Sequence, residues 1–439
     1  MTNSSQTALL LLCTLLGTAS VAADAPAVPA PSWAEVRKAR IARLLPEAMT
    51  RAGVDAWVVV CRENNNDPLA AHVGGENAVG AAAFLFLREG EKVRSVALSP
   101  EGEAKALRDV ALHDEVEAFP RGANLYATVA ERLGRGQFRR TAINFSESLS
   151  VADGLSSTQR ERLVAALPPK LRQRIVSSEQ LVIEWLSIKL PEEVEVMRRA
   201  AVLTARLEEE AYRTVVPGRT RDSDVARFLK RRMAELGVTD GWQPDQNPNV
   251  NSGPDRGHSH ATDRVIQPGD FIQTDFGIRV QGRWVTDIQR FAYVLAPGQK
   301  QPPPEALERW EKAKKGNRVA LAAIKPGARG WDVDKAQRDW MREAGSEPVP
   351  WGTGHSVGYW AHDVGPALSG AQKGQPAQGA SARIIRPGQV FAFDGFFAWK
   401  LPTLGETKTI SVEEMAVVTQ TGAEYLIPPQ EELLLIPSP

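Results

Sequence analysis

Between Trp33 and Ala52 the apolar residues Val36, Ile41, Leu44, Leu45 and Met49 recur near helical spacing, and Gly53 closes the run, so the pattern predicts one helix over 33–52. Asp55 to Cys61 (DAWVVVC) then reads as a strand, and Phe84–Leu87, Val93–Leu98 and Thr141–Phe145 read as three more. Helical stretches around 101–111, 123–134 and 157–168 lie among them. This alternation predicts a small α/β domain over 33–180.

A second unit, 188–437, opens at Ile188-Lys189-Leu190-Pro191-Glu192-Glu193. Proline in a first helical turn followed by two acids is a favourable helix start, because proline lacks the amide proton that goes unused there and carboxylates suit the positive helix end. Downstream the pattern repeats. Pro217-Gly218 precedes Asp224-Val225 and a helix ending at Gly237; Pro326-Gly327 precedes Asp332-Val333 and a helix ending at Gly345. A stronger echo follows, since Arg264–Asp275 (RVIQPGDFIQTD) matches Arg383–Asp394 (RIIRPGQVFAFD) without a gap. Each copy is a Pro-Gly turn and a β-rich run ending in an acid. A duplicated helix-plus-strand unit packs as two related halves with the acids at their junction.

Composition narrows the class. The chain has 439 residues, long enough for two domains, and 53 basic residues balance 53 acidic ones. With no net charge there is no electrostatic case for a nucleic-acid or anionic-membrane partner. Ala8–Gly17 (ALLLLCTLLG) has the length of an export-signal core, and Val21-Ala22-Ala23 offers small residues for cleavage, although Met1–Thr7 contains no Lys or Arg. We read 1–23 as a signal peptide, which implies a periplasmic or secreted protein, and outside it no stretch approaches a membrane span. Residues 24–32 (DAPAVPAPS) read as an extended, poorly ordered Pro/Ala linker. Cleavage leaves Cys61 as the one cysteine, so no intrachain disulfide forms, and its place after Trp57–Val60 suits a buried thiol.

Candidate chemistry clusters in the second unit. Four of the six histidines fall in Gly257-His258-Ser259-His260 and in Gly354-His355 to His362-Asp363. Acids stand at Asp275, Asp287, Asp394, Glu413 and Glu414, at or near strand ends. Carboxylates and imidazole are donors for divalent Mn, Co, Zn or Fe, and several converging carboxylates repel unless cations neutralise them. Asp275 and Asp287 flank a hairpin turning near Gln281-Gly282, where opposed positions come within ~5 Å, close enough to chelate one ion or bridge two. His72 and His113 read as ordinary surface or turn residues. Trp360 either lines a pocket or simply packs.

These segments resemble the pita-bread metallopeptidases, the group of aminopeptidase P, prolidase, methionine aminopeptidase and their metal-free relative creatinase. The resemblance covers about 188–430, and the first domain is similar to the creatinase N-terminal domain. It implies an α/β creatinase-like domain followed by an α+β pita-bread domain with an internal two-fold repeat. It implies a peptidase acting on Xaa-Pro bonds of small peptides through two divalent ions (Mn, Co or Zn) that share a hydroxide, in a homodimer. Asp275 and Asp287 match the aspartates of D-x-G…D-x-x-R, His355 in Gly354-His355-Ser356-Val357-Gly358 the histidine ligand, and Glu413 the bridging glutamate. His362 matches a substrate-contacting histidine, and His258 the histidine that steadies the tetrahedral intermediate.

The chain departs from this pattern at three places. Asp394, followed by Gly395, stands where the family has Glu-Pro; it would serve both as ligand and as proton relay to the leaving amine. Ser411 replaces an Arg that braces the site in many relatives. The interval between the two aspartates is one residue longer than usual, which a β-bulge would absorb. A metal-free creatinase-like hydrolase, or a binding protein on the same fold, therefore stays open as an alternative.

Overall fold

The computed structural model describes residues 28–76, 78–253, 259–402 and 405–438; residues 1–23, read above as a signal peptide, and His258 lie outside them. The first unit is built on a six-stranded mixed sheet. Its central strand, Ala56–Arg62, pairs antiparallel with Ala81–Glu89 and parallel with Thr141–Ile143. Trp57, Val59 and Cys61 pack into one core and Ala56, Val58 and Val60 into another, so both faces are covered and the strand is apolar throughout instead of alternating. Two edge strands, Glu115–Phe119 and Ile175–Ser177, escape the sequence pattern because one alternates with glutamates and the other has three residues.

The helix expected over 33–52 is two helices, Trp33–Arg43 and Leu45–Ala52. Pro46 lies in the first turn of the second, where its missing amide proton is tolerated, and it cannot sit inside one continuous helix. The linker reading also needs correction where the structure describes it. Val28 is buried in the main core, and its carbonyl accepts a hydrogen bond from Gln281 Nε2 at 3.2 Å. His72 is not a surface residue either. It is 7% exposed and packs edge-on against Tyr359 with ring centroids 4.8 Å apart. His113 is half-buried, with Nε2 2.9 Å from the Val73 carbonyl. Both positions are decided by tertiary packing, which local sequence does not encode.

The two units lock together through Arg40. Fully buried, it donates to Glu193 Oε2 at 2.6 Å and to the carbonyls of Trp185 at 2.5 Å and Ile188 at 3.0 Å. Glu193 also caps the helix Pro191–Tyr212 by accepting from Leu190 N at 2.9 Å, and it receives the Tyr359 hydroxyl and Trp284 Nε1. A buried charge pair of this kind is stable only because every lone pair finds a donor.

The second unit repeats itself in space as in sequence. The helices Asp222–Glu235 and Gly330–Glu343 are each preceded by an arginine whose amide donates to an aspartate three residues on, at 2.8 Å in both copies. Arg221 bridges Val265 and Arg329 bridges Ile384, equivalent positions of the two echoing segments. Gly218 N donates to Ile266 O at 2.8 Å, and Gly327 N to Ile385 O at 3.0 Å. Each copy then runs into a sheet. One is ordered Leu434–Ile436, Ile288–Val294, Phe271–Phe276, Asn249–Ser252; the other is Ala367–Leu368, Gly354–Ser356, Val390–Lys400, Thr407–Val418, Ala423–Tyr425. Asp275 and Asp394 occupy corresponding places, on Phe271–Phe276 and Val390–Lys400. Among the described residues no helix is long and apolar enough to cross a membrane.

Candidate metal centre

The site forms where the two sheets meet. Asp275 lies on the strand Phe271–Phe276 opposite Gln289 and Asn249, while Asp394 and Glu413 face each other across Val390–Lys400 and Thr407–Val418. Period-two alternation turns Glu413 towards the cavity and sends Glu414 the other way, where Arg290 Nη1 meets it at 3.0 Å.

Asp287 stands just before Ile288–Val294. The pairs Phe276 with Ile288 and Arg279 with Val285 share one register, so the hairpin carries no bulge between its aspartates. The turn is a three-residue loop after Val280, with Gln281 and Gly282 both at positive φ, 52° and 65°. Asp287 is therefore opposite Gly277, diagonal to Asp275 instead of directly opposed. The two carboxyls nevertheless come within hydrogen-bonding reach.

His355, from the strand Gly354–Ser356, completes the cluster. Its Nε2 lies 3.7 Å from Asp287 Oδ2 and 3.9 Å from Glu413 Oε1, and donor atoms of these three residues all lie within 4.8 Å of one another. Burial, then the neighbouring His362, push the His355 imidazole down to about 4, so it is neutral at physiological pH with a lone pair to offer. Its ring centroid is 4.2 Å from that of His362, which stands at the cavity mouth. Burial and the neighbouring acids hold the carboxyls of Asp287, Asp394 and Glu413 well above the usual carboxylate range. Among the described residues, His355 is the one basic group within ion-pair distance of Asp287 and Glu413, and it is uncharged. Buried acids raised by one another, beside a neutral imidazole, form a donor set that a divalent cation relieves. The residues present fit a metal.

A cavity of about 570 Å3 opens on the cluster between Trp242, Trp351 and Phe396. It continues past His355 and His362 into a second cavity of about 810 Å3, bordered by Trp360 and by Leu149, Ser150 and Val151 of the first unit. His260 is exposed to solvent. Two polar residues of the site, Gln273 and Gln289, escape a reading by motif; like Ser411 they are buried against the acids. Their signal is spacing, since each of the three lies two positions from Asp275, Asp287 or Glu413 and so shares its face.

The model of "Metallopeptidase family M24" matches residues 195–420. A probable dipeptidase PepE of Mycobacterium tuberculosis is 26% identical over 254 residues, covering 57% of this chain, and the chain spans 61% of that relative's length. Among solved structures, the dipeptidase PepE from Mycobacterium ulcerans superposes with a TM-score of 0.65 at 20% identity, over 92% of this chain and 99% of that one. The Xaa-Pro dipeptidase from Bacillus anthracis gives 0.64 at 20% identity, over 92% and 100%. These structures share the pita-bread fold seen here. Because the match begins within the helix Pro191–Tyr212 and ends just past the strand bearing Glu413, it takes in every acid of the cluster, and the chain belongs to metallopeptidase family M24.

Proposed function

We propose that the chain is a metal-dependent hydrolase of small peptides, cleaving Xaa-Pro bonds with two divalent ions (Mn, Co or Zn) held by Asp275, Asp287, His355, Asp394 and Glu413. One observation carries the reading. Asp287, His355 and Glu413 stand close enough to share one ion, and Asp275 and Asp394 from the two repeat halves line the same cavity, which has room for a short peptide. When bound, such ions supply a water acidified towards neutrality and a Lewis acid for the scissile carbonyl.

The chain's own groups do the rest. His362, exposed at the cavity mouth with its imidazole shifted below the usual range by partial desolvation, offers a hydrogen bond to the peptide. Asp394, as the family resemblance implies, would accept the proton of the attacking water and return it to the leaving amine. His258 would steady the tetrahedral intermediate, as the family resemblance implies. Trp242, Trp351 and Phe396 give the cavity apolar walls for the peptide's side chains to pack against. The signal-like segment 1–23 supports a periplasmic or secreted setting, and the resemblance supports a homodimer.

The test is release of free proline from Xaa-Pro dipeptides by purified protein, stripped with chelator and then given Mn2+, Co2+ or Zn2+ in turn. Wild type should regain activity with at least one ion, and Asp287→Ala with none. A wild type that binds no ion and releases no proline from any such peptide sinks the reading.

A further inference from the structure

Gln289 is 4% exposed and lies on the strand Ile288–Val294 directly across from Asp275. Its Nε2 donates to Glu413 Oε2 at 2.9 Å and approaches Asp394 Oδ1 at 3.5 Å. One amide thus reaches acids from both strands of the facing pair. Its Oε1 receives Gln273 Nε2 at 2.6 Å and the Ser411 hydroxyl at 2.7 Å, and Gln273 Nε2 also reaches Ser411 Oγ at 3.0 Å. This fixes the amide's sense. A flipped Gln289 would turn its NH2 towards the amide protons of Gln273 and its oxygen towards two carboxylates, keeping only a contact with the Ser411 hydroxyl, which can accept as well as donate.

We propose that Gln289 is the positioning residue of the acid cluster, held by Gln273 and Ser411 so that its single amide orients Glu413 and Asp394 towards a divalent cation. The proposal rests on the metal-site reading above. Its chemistry differs from that of a cationic brace. A neutral donor lines up carboxylate oxygens without neutralising them, leaving the cluster's full negative charge for the ion. It also accounts for Ser411, whose small hydroxyl closes the hydrogen-bond ring where a long basic side chain would collide with Gln273 and Gln289.

The experiment titrates chelator-stripped full-length protein with Mn2+ alone, reading bound ion by calorimetry, and records metal-free melting in parallel. Gln289→Leu should weaken Mn2+ binding about 10- to 100-fold, the range for loss of a group that orients metal ligands. Ser411→Ala, which keeps the amide but frees its oxygen, should weaken it less, and should add nothing in the Gln289→Leu background because the two act as one unit. Equal Mn2+ affinity for wild type and Gln289→Leu overturns the proposal, as do fully additive losses in the double variant. If Gln289→Leu does not fold, Ser411→Ala decides alone: weaker binding with unchanged metal-free melting supports the role, and unchanged binding overturns it. A wild type that takes up no Mn2+, Co2+ or Zn2+ removes the metal-site reading itself, a result distinct from the others.

Discussion

Lys189 Nζ lies 3.0 Å from Asp363 Oδ2, and both side chains are sealed from solvent. The pair ties the start of the second unit to the loop bearing His362. Asp363 also accepts from Tyr359 N at 3.0 Å and Val364 N at 2.8 Å, while Lys189 donates to Leu186 O at 2.7 Å. The approach requires glycine at 358, where a Cβ would stand 2.1 Å from Lys189 Cε and 2.3 Å from Asp363 Oδ2. Asp363→Asn strands a buried ammonium and should cost about 3–5 kcal/mol. Lys189→Met combined with Asp363→Asn should regain most of that stability. KM should stay raised in the double variant, because the neutral pair no longer holds the loop behind His362. Melting curves and steady-state kinetics on the same preparations check both halves of the expectation; a double variant with wild-type KM would sever the link to His362.

The proposed metal site should cost the metal-free fold stability. Burial and Asp275 hold the Asp394 carboxyl above its usual range, so ionised Asp394 works against the metal-free fold at neutral pH. Asp394→Asn should therefore melt higher than wild type after chelation. With metal added the order should reverse, since only wild type gains ligand-linked stability. Differential scanning calorimetry with and without chelator gives both signs. Lower stability of the variant in the metal-free state would mean that the acids do not repel as placed.

Gly395, standing where the family places proline, is explained by packing. A Cβ there would lie 2.1 Å from Asn317 N and 2.2 Å from Ala313 O, both backbone atoms of the helix Pro304–Ala323. The same helix is clamped to the strand pair by Asn317 Nδ2, which donates to Phe393 O and Val412 O at 2.9 Å each. Gly395→Ala must push helix from strand and should cost about 1–3 kcal/mol, the usual range for overpacking. Because Asp394 is the adjacent residue, Mn2+ affinity should fall with it. An alanine variant matching wild type in melting and Mn2+ titration would show that the helix yields freely.

Much of this site is legible in the sequence because it is duplicated. The shared Arg-x-Ile-x-Pro-Gly frame by itself marks Asp275 and Asp394 as equivalent, and the matching bridges at Val265 and Ile384 carry that equivalence into space. What stays hidden depends on contacts between distant segments. Gln289 looks like any strand glutamine until Glu413 and Ser411 arrive from residues more than a hundred positions away. Asp287 is placed opposite Gly277 by the strand register, which the residue count does not reveal. Leu44 carries helical spacing across a break that only the position of Pro46 betrays. The strand Glu115–Phe119 joins its sheet by pairing parallel with Lys92–Pro100, not by an apolar pattern of its own.

His72 should give the fold an acid-sensitive step. Burial, then the neighbouring Arg40 and Lys189, push its imidazole down to about 3, whereas the unfolded chain protonates it near 6.5. Between those values the unfolded state binds the extra proton, so this contribution to stability is fully present above pH 6.5 and drains away as pH falls towards 3. The slope is at most about 1.4 kcal/mol per pH unit for the one histidine. Metal-free acids act in the opposite sense, since raised carboxyls take up protons preferentially in the folded state. The clean measurement is therefore the difference between wild type and His72→Phe, whose ring fits the same edge-on contacts with Trp33 and Tyr359. Urea melts of both proteins from pH 7 to 4.5 should converge or cross as pH falls, with wild type losing stability faster. Parallel curves over that range would mean that His72 protonates as readily in the folded protein as in the open chain.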